Sequence, residues 1–439
     1  MTFRTLLILT AIAAPLFAET KVLTNFTLID GTGRDAAPNS AMIITDGRVA
    51  WVGPASVMKA PPGAAAINLA GKFVMPGIMN THGHLGNVVD FVQDPKNFTR
   101  ENAEKQLKQY ARFGVTSMVS MGSDQPLVFD IRKEQRSGRP HEARVFTAYK
   151  GFTGVGGYPT TAAGMKGVPF EVSTNAQIDD DVKQLAGLKV DLVKVWVDDH
   201  LGKDKKIPLE LVKHIIADAH QYHLKAAAHI FYLEDARTLI NSGLDALAHS
   251  VRDKPVDDAF VAAMKRGNVY QIPTLSREAS MFVYGSYSKM LDDPLFAVAV
   301  SPAMLKTLKT TEYQKKSASD PDFKEYPQFL RTAQANLKRL HDAGVRIAFG
   351  TDTGVPLRIP GYFEHWEMQL MSEAGIPSRD IITAASRNAA EFLGVSKDLG
   401  TLEKGKWADL IVLSRNPLED IKNTRAIESV MIAGNTIER

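Results

Sequence analysis

Between residues 76 and 395 the sequence alternates short apolar runs with longer amphipathic stretches, and this alternation limits the folds open to the chain. Runs of this length favour β-strands, whereas the stretches between them have the spacing of amphipathic helices. Strands that alternate with helices pair in parallel. Together with the run that ends at His82, eight such units predict an α/β fold, a closed (β/α)8 TIM barrel. The other seven runs span residues 115–122, 144–151, 190–199, 225–230, 244–250, 268–274 and 345–354.

Helices are predicted in the stretches between the runs, and several of these stretches end in glycine, which suits a left-handed helix cap. Residues 276–340 are too many for a single crossover, so they predict helical insertions over the mouth of the barrel. The clearest helical stretches are residues 101–114, 209–223, 233–243 and 257–267.

The two ends of the chain have a different texture from its middle. Residues 19–73 and 396–439 contain short β-branched or aromatic runs broken by Asp-Gly and Gly turns, which is typical of β-strands. Because these segments are far apart in sequence and alike in pattern, they predict one small composite β-sandwich domain formed by both termini. Residues 74–395 would then form the barrel.

The first 18 residues have the pattern of a secretory signal peptide. Arg4 supplies the positive charge, residues 6–14 are apolar, and small residues lead to a cleavage site after Ala18. The mature chain is therefore expected to be secreted or periplasmic and to have no membrane span. The formal net charge is only +3 and the basic residues are dispersed, so nucleic acid is not an expected partner. The chain has no cysteine, which excludes disulfides and thiolate metal sites.

Histidine, lysine and aspartate stand in or at the ends of five of the apolar runs. His82 and His84 are two residues apart, so both side chains of this pair point to the same face of a strand. Lys194 lies among valines in the fourth run, where an amine needs a partner or a lowered pKa. Barrel enzymes build their active sites at the carboxyl ends of the strands. The set predicts a metal centre, and it continues with His229, His249 and Asp352.

The motifs that carry these residues resemble those of the amidohydrolase superfamily. They are "PGIMNTHGHL" on the first strand, "DLVKV" on the fourth, "GTDTG" on the eighth, and "TAASRNAAEFLGVSKDLGTLEKGKWADLIVL" at the return into the terminal β segment. The resemblance covers nearly the whole mature chain. It is strongest to the branch of metal-dependent prolidases, imidazolonepropionase-like proteins and secreted hydrolases of dipeptides or N-acyl amino acids.

The resemblance implies two divalent metal ions, with Zn²⁺ favoured by imidazole and carboxylate ligands and manganese or cobalt left open. It implies that His82, His84 and Asp352 hold the more buried ion and that His229 and His249 hold the second. Lys194, carboxylated by CO₂, would bridge the two ions. Asp352 and His249 are the predicted catalytic residues, and Asp352 would transfer the proton.

The expected reaction is hydrolysis of the amide C–N bond of a small molecule, an N-acyl amino acid or dipeptide. Cations just past the strand ends could hold its free carboxylate, and aromatic residues could pack on its side chain. These predicted substrate-binding residues are Lys150, Phe231, Tyr232, Arg277 and Arg358.

Other functions stay open at this point. A lactone or phosphotriester hydrolase could use the same centre, and a mononuclear deaminase or imidazolone-type hydrolase could use the same barrel. A secreted binding protein that lost catalysis is the alternative outside enzymes. Phe231, Tyr232 and Ser250 depart from the pattern of the relatives beside the metal ligands, so no relative's substrate can be assumed. A homo-oligomer is also left open.

Overall fold

The computed structural model describes residues 19–438. The predicted signal peptide, residues 1–18, therefore lies outside the described residues. No helix between residues 19 and 438 is both long enough and apolar enough to cross a bilayer.

One sheet combines strands from both ends of the chain. Its central pairing is between Phe73–Pro76 and Leu410–Leu413, which run antiparallel with Pro76 opposite Leu410. The predicted pairing of the two termini is thus present in the structure, although the two-layered sandwich and the domain bounds stay predictions. In spatial order the strands are Asn435–Thr436, Ile427–Ile432, Leu410–Leu413, Phe73–Pro76, Thr20–Leu28, Ala37–Thr45 and Arg48–Pro54, with Ala65–Asn68 paired to Thr20–Leu28.

The middle of the chain forms two parallel sheets, which confirms the predicted α/β class. The neighbouring strands of both sheets follow the chain order closely, as expected where a helix connects each strand to the next. The first sheet contains Arg144–Thr147, Val115–Ser120 and Ile78–Gly83. The second contains Phe170–Val172, Phe152–Gly154, Val193–Val197, Ala226–Ile230, Ala246–Ala248 and Tyr270–Ile272. A separate hairpin pairs Val88–Val89 with Val92–Gln93.

The eighth predicted strand, residues 345–354, is not a continuous strand. It makes isolated parallel bridges instead, from Ile347 to Gln271 on one side and from Thr353 to Gly83 on the other. The backbone at Asp352 is left-handed, with φ of 63°, and this interrupts the regular ladder.

The helices lie where amphipathic stretches were predicted, and the four clearest ones match within two residues at each end. Their starts have local causes: the Thr99 hydroxyl accepts from the Asn102 amide, and the Asp257 carboxylate accepts from the Phe260 amide. The α-helices are Arg100–Arg112, Leu127–Ser137, Asn175–Gly187, Leu209–Gln221, Leu233–Asn241, Asp258–Arg266, Leu275–Ser280, Pro294–Ala299, Pro302–Leu308, Thr311–Ala318, Tyr326–Asp342, Tyr362–Glu373, Ser378–Thr383 and Ala389–Phe392. Short 3-10 segments span Ala55–Val57, Pro95–Asn97, Lys289–Asp292 and Ile421–Arg425, and Ala384–Asn388 is a π-helical turn.

The long insertion after residue 275 is helical, as predicted. Its apolar side chains, among them Phe296 and Met304, form one buried cluster with Phe113, Ile359 and Phe363. The insertion therefore packs against the loop and helix that follow the eighth segment, which places it beside the strand ends.

Candidate metal centre

The structure brings the six predicted metal ligands together in the buried interior. Ligand atoms of three of them, His82, His249 and Asp352, all lie within 4.8 Å of one another. The ring centres of His82 and His249 are 4.8 Å apart. His82 lies in the strand Ile78–Gly83 and His84 directly follows it, so the placement of the pair agrees with a continuation of the strand's two-residue repeat.

The first half of the centre is built around the Asp352 carboxylate. Its Oδ1 atom lies 2.9 Å from His84 Nε2 and 3.3 Å from His82 Nε2. On the far side of its ring, His84 Nδ1 is 2.8 Å from the Ser123 hydroxyl. Burial, helped by the charge of Lys194, lowers the pKa of His82 to about 3, so that ring is neutral near pH 7 and has a free lone pair.

The Asp352 carboxyl itself is ionised. Burial raises its pKa, but the Arg358 guanidinium and the His82 and His84 rings together hold the pKa well below its usual range. The carboxylate therefore provides the negative charge that a divalent ion requires.

The second half contains His229 and His249, whose Nδ1 and Nε2 atoms face each other at 2.8 Å. The outer nitrogens of both rings are engaged. His229 Nε2 donates to the Asp198 carboxylate at 2.8 Å, and His249 Nδ1 lies 2.5 Å from the Thr274 hydroxyl. Burial lowers the pKa of His229 to about 4 and holds the pKa of His249 well below its usual range, so both rings are neutral.

These outer bonds decide which nitrogen of each ring is free. The Asp198 carboxylate can only accept, so the proton of His229 is on Nε2 and its Nδ1 carries a lone pair. If His249 likewise donates to Thr274, two lone pairs face each other across 2.8 Å. Two imidazole lone pairs directed at one point are a donor set that fits a divalent metal ion.

Lys194 lies between the two halves of the centre. It is completely buried, and its Nζ atom is 3.3 Å from His82 Nε2. In the described residues no carboxylate forms an ion pair with this amine, and burial lowers the pKa of Lys194 to about 7. A large fraction of the side chain is therefore an uncharged, nucleophilic amine near neutral pH.

The backbone is strained at both predicted catalytic residues. The backbone φ angle is 100° at His249 and 63° at Asp352, and residues other than glycine rarely adopt such values. Gly354 shows how tightly this region is packed, because a Cβ atom at that position would lie 1.8 Å from the His84 carbonyl oxygen. Strain of this kind persists where surrounding contacts hold functional groups in place.

A cavity of about 170 Å³ opens directly onto the centre. Arg358 lines it and also donates to Asp352 Oδ2. Its apolar wall is formed by Tyr158, Met165 and Trp196. Of the five predicted substrate-binding residues, Arg358 is the one that the structure places in this lining.

The other four lie outside that lining. Phe231 is buried under the Arg252 guanidinium and against Phe329. The Tyr232 hydroxyl donates to Asp199, and Arg277 donates to its neighbour Glu278. Lys150 lies over the Phe170 ring.

A larger cavity, of about 590 Å³, lies on the other side of the loop that carries Arg358. It is lined by the helix Arg100–Arg112 and by the insertion helices, and it contains none of the six predicted ligands. It shares the lining residues Gly354, Val355 and Arg358 with the small cavity.

Sequence reasoning missed the residues that orient the ligands. Asp198 and Trp196 could have been found, because they follow Lys194 at two-residue steps and therefore share its face of the strand. Ser123 and Thr274 have no comparable signal, since each reaches its histidine from a loop.

Asp124 is a buried carboxyl beneath the first half of the centre, and it offers a pH test of the fold. It is bonded to the Ser120 and Thr147 hydroxyls, and burial raises its pKa from 3.8 to about 7. A raised pKa stabilises the folded state at low pH, and this contribution is lost as the pH rises from the unfolded to the folded value. Asp124→Asn should therefore gain stability relative to wild type between about pH 4 and pH 7.

Urea unfolding of the two proteins across this pH range measures the difference. Asp130→Asn, at an exposed helical position, is the control and should show little change with pH. If the difference in free energy of unfolding between Asp124→Asn and wild type does not change with pH, the carboxyl stays ionised over this whole pH range.

Residues 73–437 match the family model of the amidohydrolase family. The imidazolonepropionase of Kosmotoga olearia is 21% identical over 403 residues, covering 87% of this chain and 86% of that protein. The ochratoxinase of Aspergillus niger is 44% identical over 82 residues, which are 18% of this chain and 16% of that enzyme. Among solved structures, a Xaa-Pro dipeptidase with methionine bound in its active site has a TM-score of 0.76 at 21% identity, covering 96% of this chain and 100% of that chain.

The chain belongs to the amidohydrolase family, whose model covers both parallel sheets and the metal-ligand candidates. The family and the enzyme class predicted from the sequence, a hydrolase of carbon–nitrogen bonds, are thereby confirmed.

Proposed function

We propose that the chain is a binuclear-metal hydrolase that cleaves the amide bond of an N-acyl amino acid or a dipeptide with a free carboxylate. The observation that carries the proposal is the convergence of three buried, neutral imidazoles and an ionised carboxylate around one buried lysine.

The proposal includes a closed barrel with its metal centre at the carboxyl end. Three contacts support closure of the ring. Asp191 donates its amide to the Thr147 carbonyl at 2.9 Å and so joins the two parallel sheets, and the bridges of the eighth segment reach the first and seventh strands. The composite terminal domain would then cover the outer side of the first strand, which continues directly from Phe73–Pro76.

Lys194 fits the role of a bridging ligand after carboxylation. Addition of its uncharged amine to CO₂ forms a carbamate and releases one proton, which converts the neutral amine into an anion with two oxygens. A positive ammonium beside two metal ions would be repelled by both, whereas a carbamate would be attracted. Because the amine lies 3.3 Å from His82 in the first half and on the strand next to that of His229, the new oxygens would face both halves.

When bound, two divalent ions supply a hydroxide at neutral pH and polarise the scissile carbonyl. The chain's own residues then hold the substrate and move protons. Asp352 is placed to accept the proton of the attacking water and to deliver it to the leaving nitrogen. His82, His229 and His249 stay neutral because burial lowers their pKa values, so they do not compete for that proton.

The substrate carboxylate is assigned to Arg358. This guanidinium lines the small cavity, is largely buried, and is already paired with an anion, Asp352. A charge-assisted bond from a buried guanidinium to a carboxylate is one of the stronger polar contacts in proteins. The wall of Tyr158, Met165 and Trp196 suits an apolar side chain on the same substrate. The solved dipeptidase with methionine in its active site supports an amino acid of this kind.

The experiment compares an N-acyl amino acid with its methyl ester in wild type and in Arg358→Ala. Wild type should prefer the free acid, and the variant should lose about 10- to 100-fold in kcat/KM for the acid, since a bond to a charged group contributes about 1.5–3 kcal/mol. Arg358→Ala also removes the ion pair with Asp352. Any effect of that loss on catalysis slows hydrolysis of the acid and of the ester alike, so the ester serves as the control for it. Lys150→Ala is the matched control and should behave as wild type.

Equal kcat/KM for acid and ester in wild type would refute recognition of a carboxylate. Lactone, phosphotriester and imidazolone substrates belong in the same screen, because hydrolysis of one of these alone would replace the proposed substrate class.

We also propose that residues 1–18 direct export of the chain to the periplasm or the medium. The support is the order of positive, apolar and small residues before Glu19.

A further inference from the structure

Two buried glutamates lie on the helix Tyr362–Glu373, which follows the eighth segment. Glu364 and Glu367 are three residues apart and so project from the same face of the helix. Both are completely buried, and in the part of the chain that the structure describes neither forms an ion pair with lysine or arginine. Burying two unpaired carboxyls is costly, which calls for a reason.

Glu364 contacts the first half of the metal centre through hydroxyl groups. Its Oε1 atom accepts from the hydroxyls of Thr351 at 2.9 Å and Thr353 at 2.7 Å, which flank Asp352. The same oxygen accepts from the Asn80 side-chain amide at 2.7 Å. Asn80 in turn accepts from the His82 backbone amide at 3.0 Å, so one carboxylate holds the segments of two ligands.

Glu367 contacts the second half through backbone amides. Its two oxygens accept from the backbone amides of Leu275 at 2.8 Å and Ser276 at 2.6 Å. These residues follow Thr274, whose backbone is left-handed and whose hydroxyl is 2.5 Å from His249 Nδ1. The carboxylate thereby fixes the turn that presents the Thr274 hydroxyl to the ring.

We propose that this helix positions the ligands of both metal sites. Glu364 positions Asp352 and His82, and Glu367 positions His249. The inference rests on the metal centre of the proposed function but not on any substrate. Each glutamate acts through another residue, so both are positioning residues. Since each carboxylate supports a different half, the two should affect different ions.

The test measures the affinity of each ion by competition with a chelator, in the absence of substrate and at one fixed pH for all variants. Glu364→Gln should weaken mainly the ion that is also weakened by His84→Ala. Glu367→Gln should weaken mainly the ion that is also weakened by His229→Ala. The loss expected for an outer partner of this kind is about 10- to 100-fold in affinity.

Glu364→Ala and Glu367→Ala should lose more metal affinity than the corresponding glutamine variants, because glutamine retains one acceptor oxygen in a side chain of nearly the same shape. Glu373→Gln, at an exposed position on the same helix, is the matched control and should bind both ions as wild type does. In the cobalt-loaded protein the visible absorption spectrum should change for the two buried positions and not for the control.

Folded Gln variants that bind both ions with wild-type affinity would overturn the proposal. An equal loss of both ions in both variants would also overturn it, because that result indicates general destabilisation of the fold. Should the glutamate variants not fold, Thr353→Val and Thr274→Val remove one hydroxyl each and must show the same division between the ions. A wild-type protein that binds two ions but hydrolyses no amide would refute the proposed function. It would not contradict the positioning role of Glu364 and Glu367.

Discussion

Lys194→Ala is expected to lose most of the bound metal and nearly all activity, with partial recovery when a short carboxylate such as acetate is added. The substitution removes the ligand that is proposed to bridge the two ions, so the effect should exceed the roughly 10- to 100-fold that loss of an outer partner costs. Recovery is expected because truncation at this buried position leaves a space the length of the lysine side chain. A small anion in that space would restore the missing charge.

Elemental analysis of wild type should give about two divalent ions per chain, because the ligand set exceeds what one tetrahedral ion requires. Lys225→Ala is the control: this lysine precedes the neighbouring strand and donates to the Phe392 carbonyl, away from the ligands. Its metal content should equal that of wild type. Full activity with a single ion per chain would contradict the binuclear centre and favour the mononuclear alternative.

The sequence predicted those parts of the fold that depend on local periodicity. The four helices predicted with bounds are accurate to about two residues because their apolar faces and their caps, such as Thr99, are encoded within one or two turns. The eighth segment was predicted as a strand from its apolar composition, but the left-handed backbone at Asp352 limits it to isolated bridges. That backbone is imposed by contacts from distant residues, which no local pattern records.

The same division applies to the site. The ligand candidates were found because strand periodicity and the strand ends define where their side chains go. The sequence does not record the loop geometry at the predicted substrate contacts. Tyr232 precedes a helix and turns its hydroxyl to Asp199, and Arg277 lies in a buried helix paired with Glu278. Glu364 and Glu367 look like ordinary helical glutamates in the sequence. Their importance follows only from which loops pack on that helix.

Asp352→Asn is expected to reduce kcat by about 10²-fold or more, since proton transfer by a positioned group contributes at least that much. Asparagine keeps an oxygen at nearly the same position, so the contacts at His82 and His84 and much of the fold should survive. Loss of the negative charge also frees Arg358 from its ion pair, so KM for a carboxylate substrate should not rise. This split between kcat and KM separates a lost proton acceptor from a damaged binding site.

The measurement combines steady-state kinetics with metal content at saturating metal. A variant that binds two ions and remains within a few-fold of the wild-type rate would show that Asp352 serves only as a ligand. His249 could not then take over the proton without losing its own contact, because burial already holds its pKa far below neutrality and its Nδ1 is engaged by Thr274. Asp198, which is buried beside His229, would then be the next carboxylate to test, although its bond to His229 commits one oxygen.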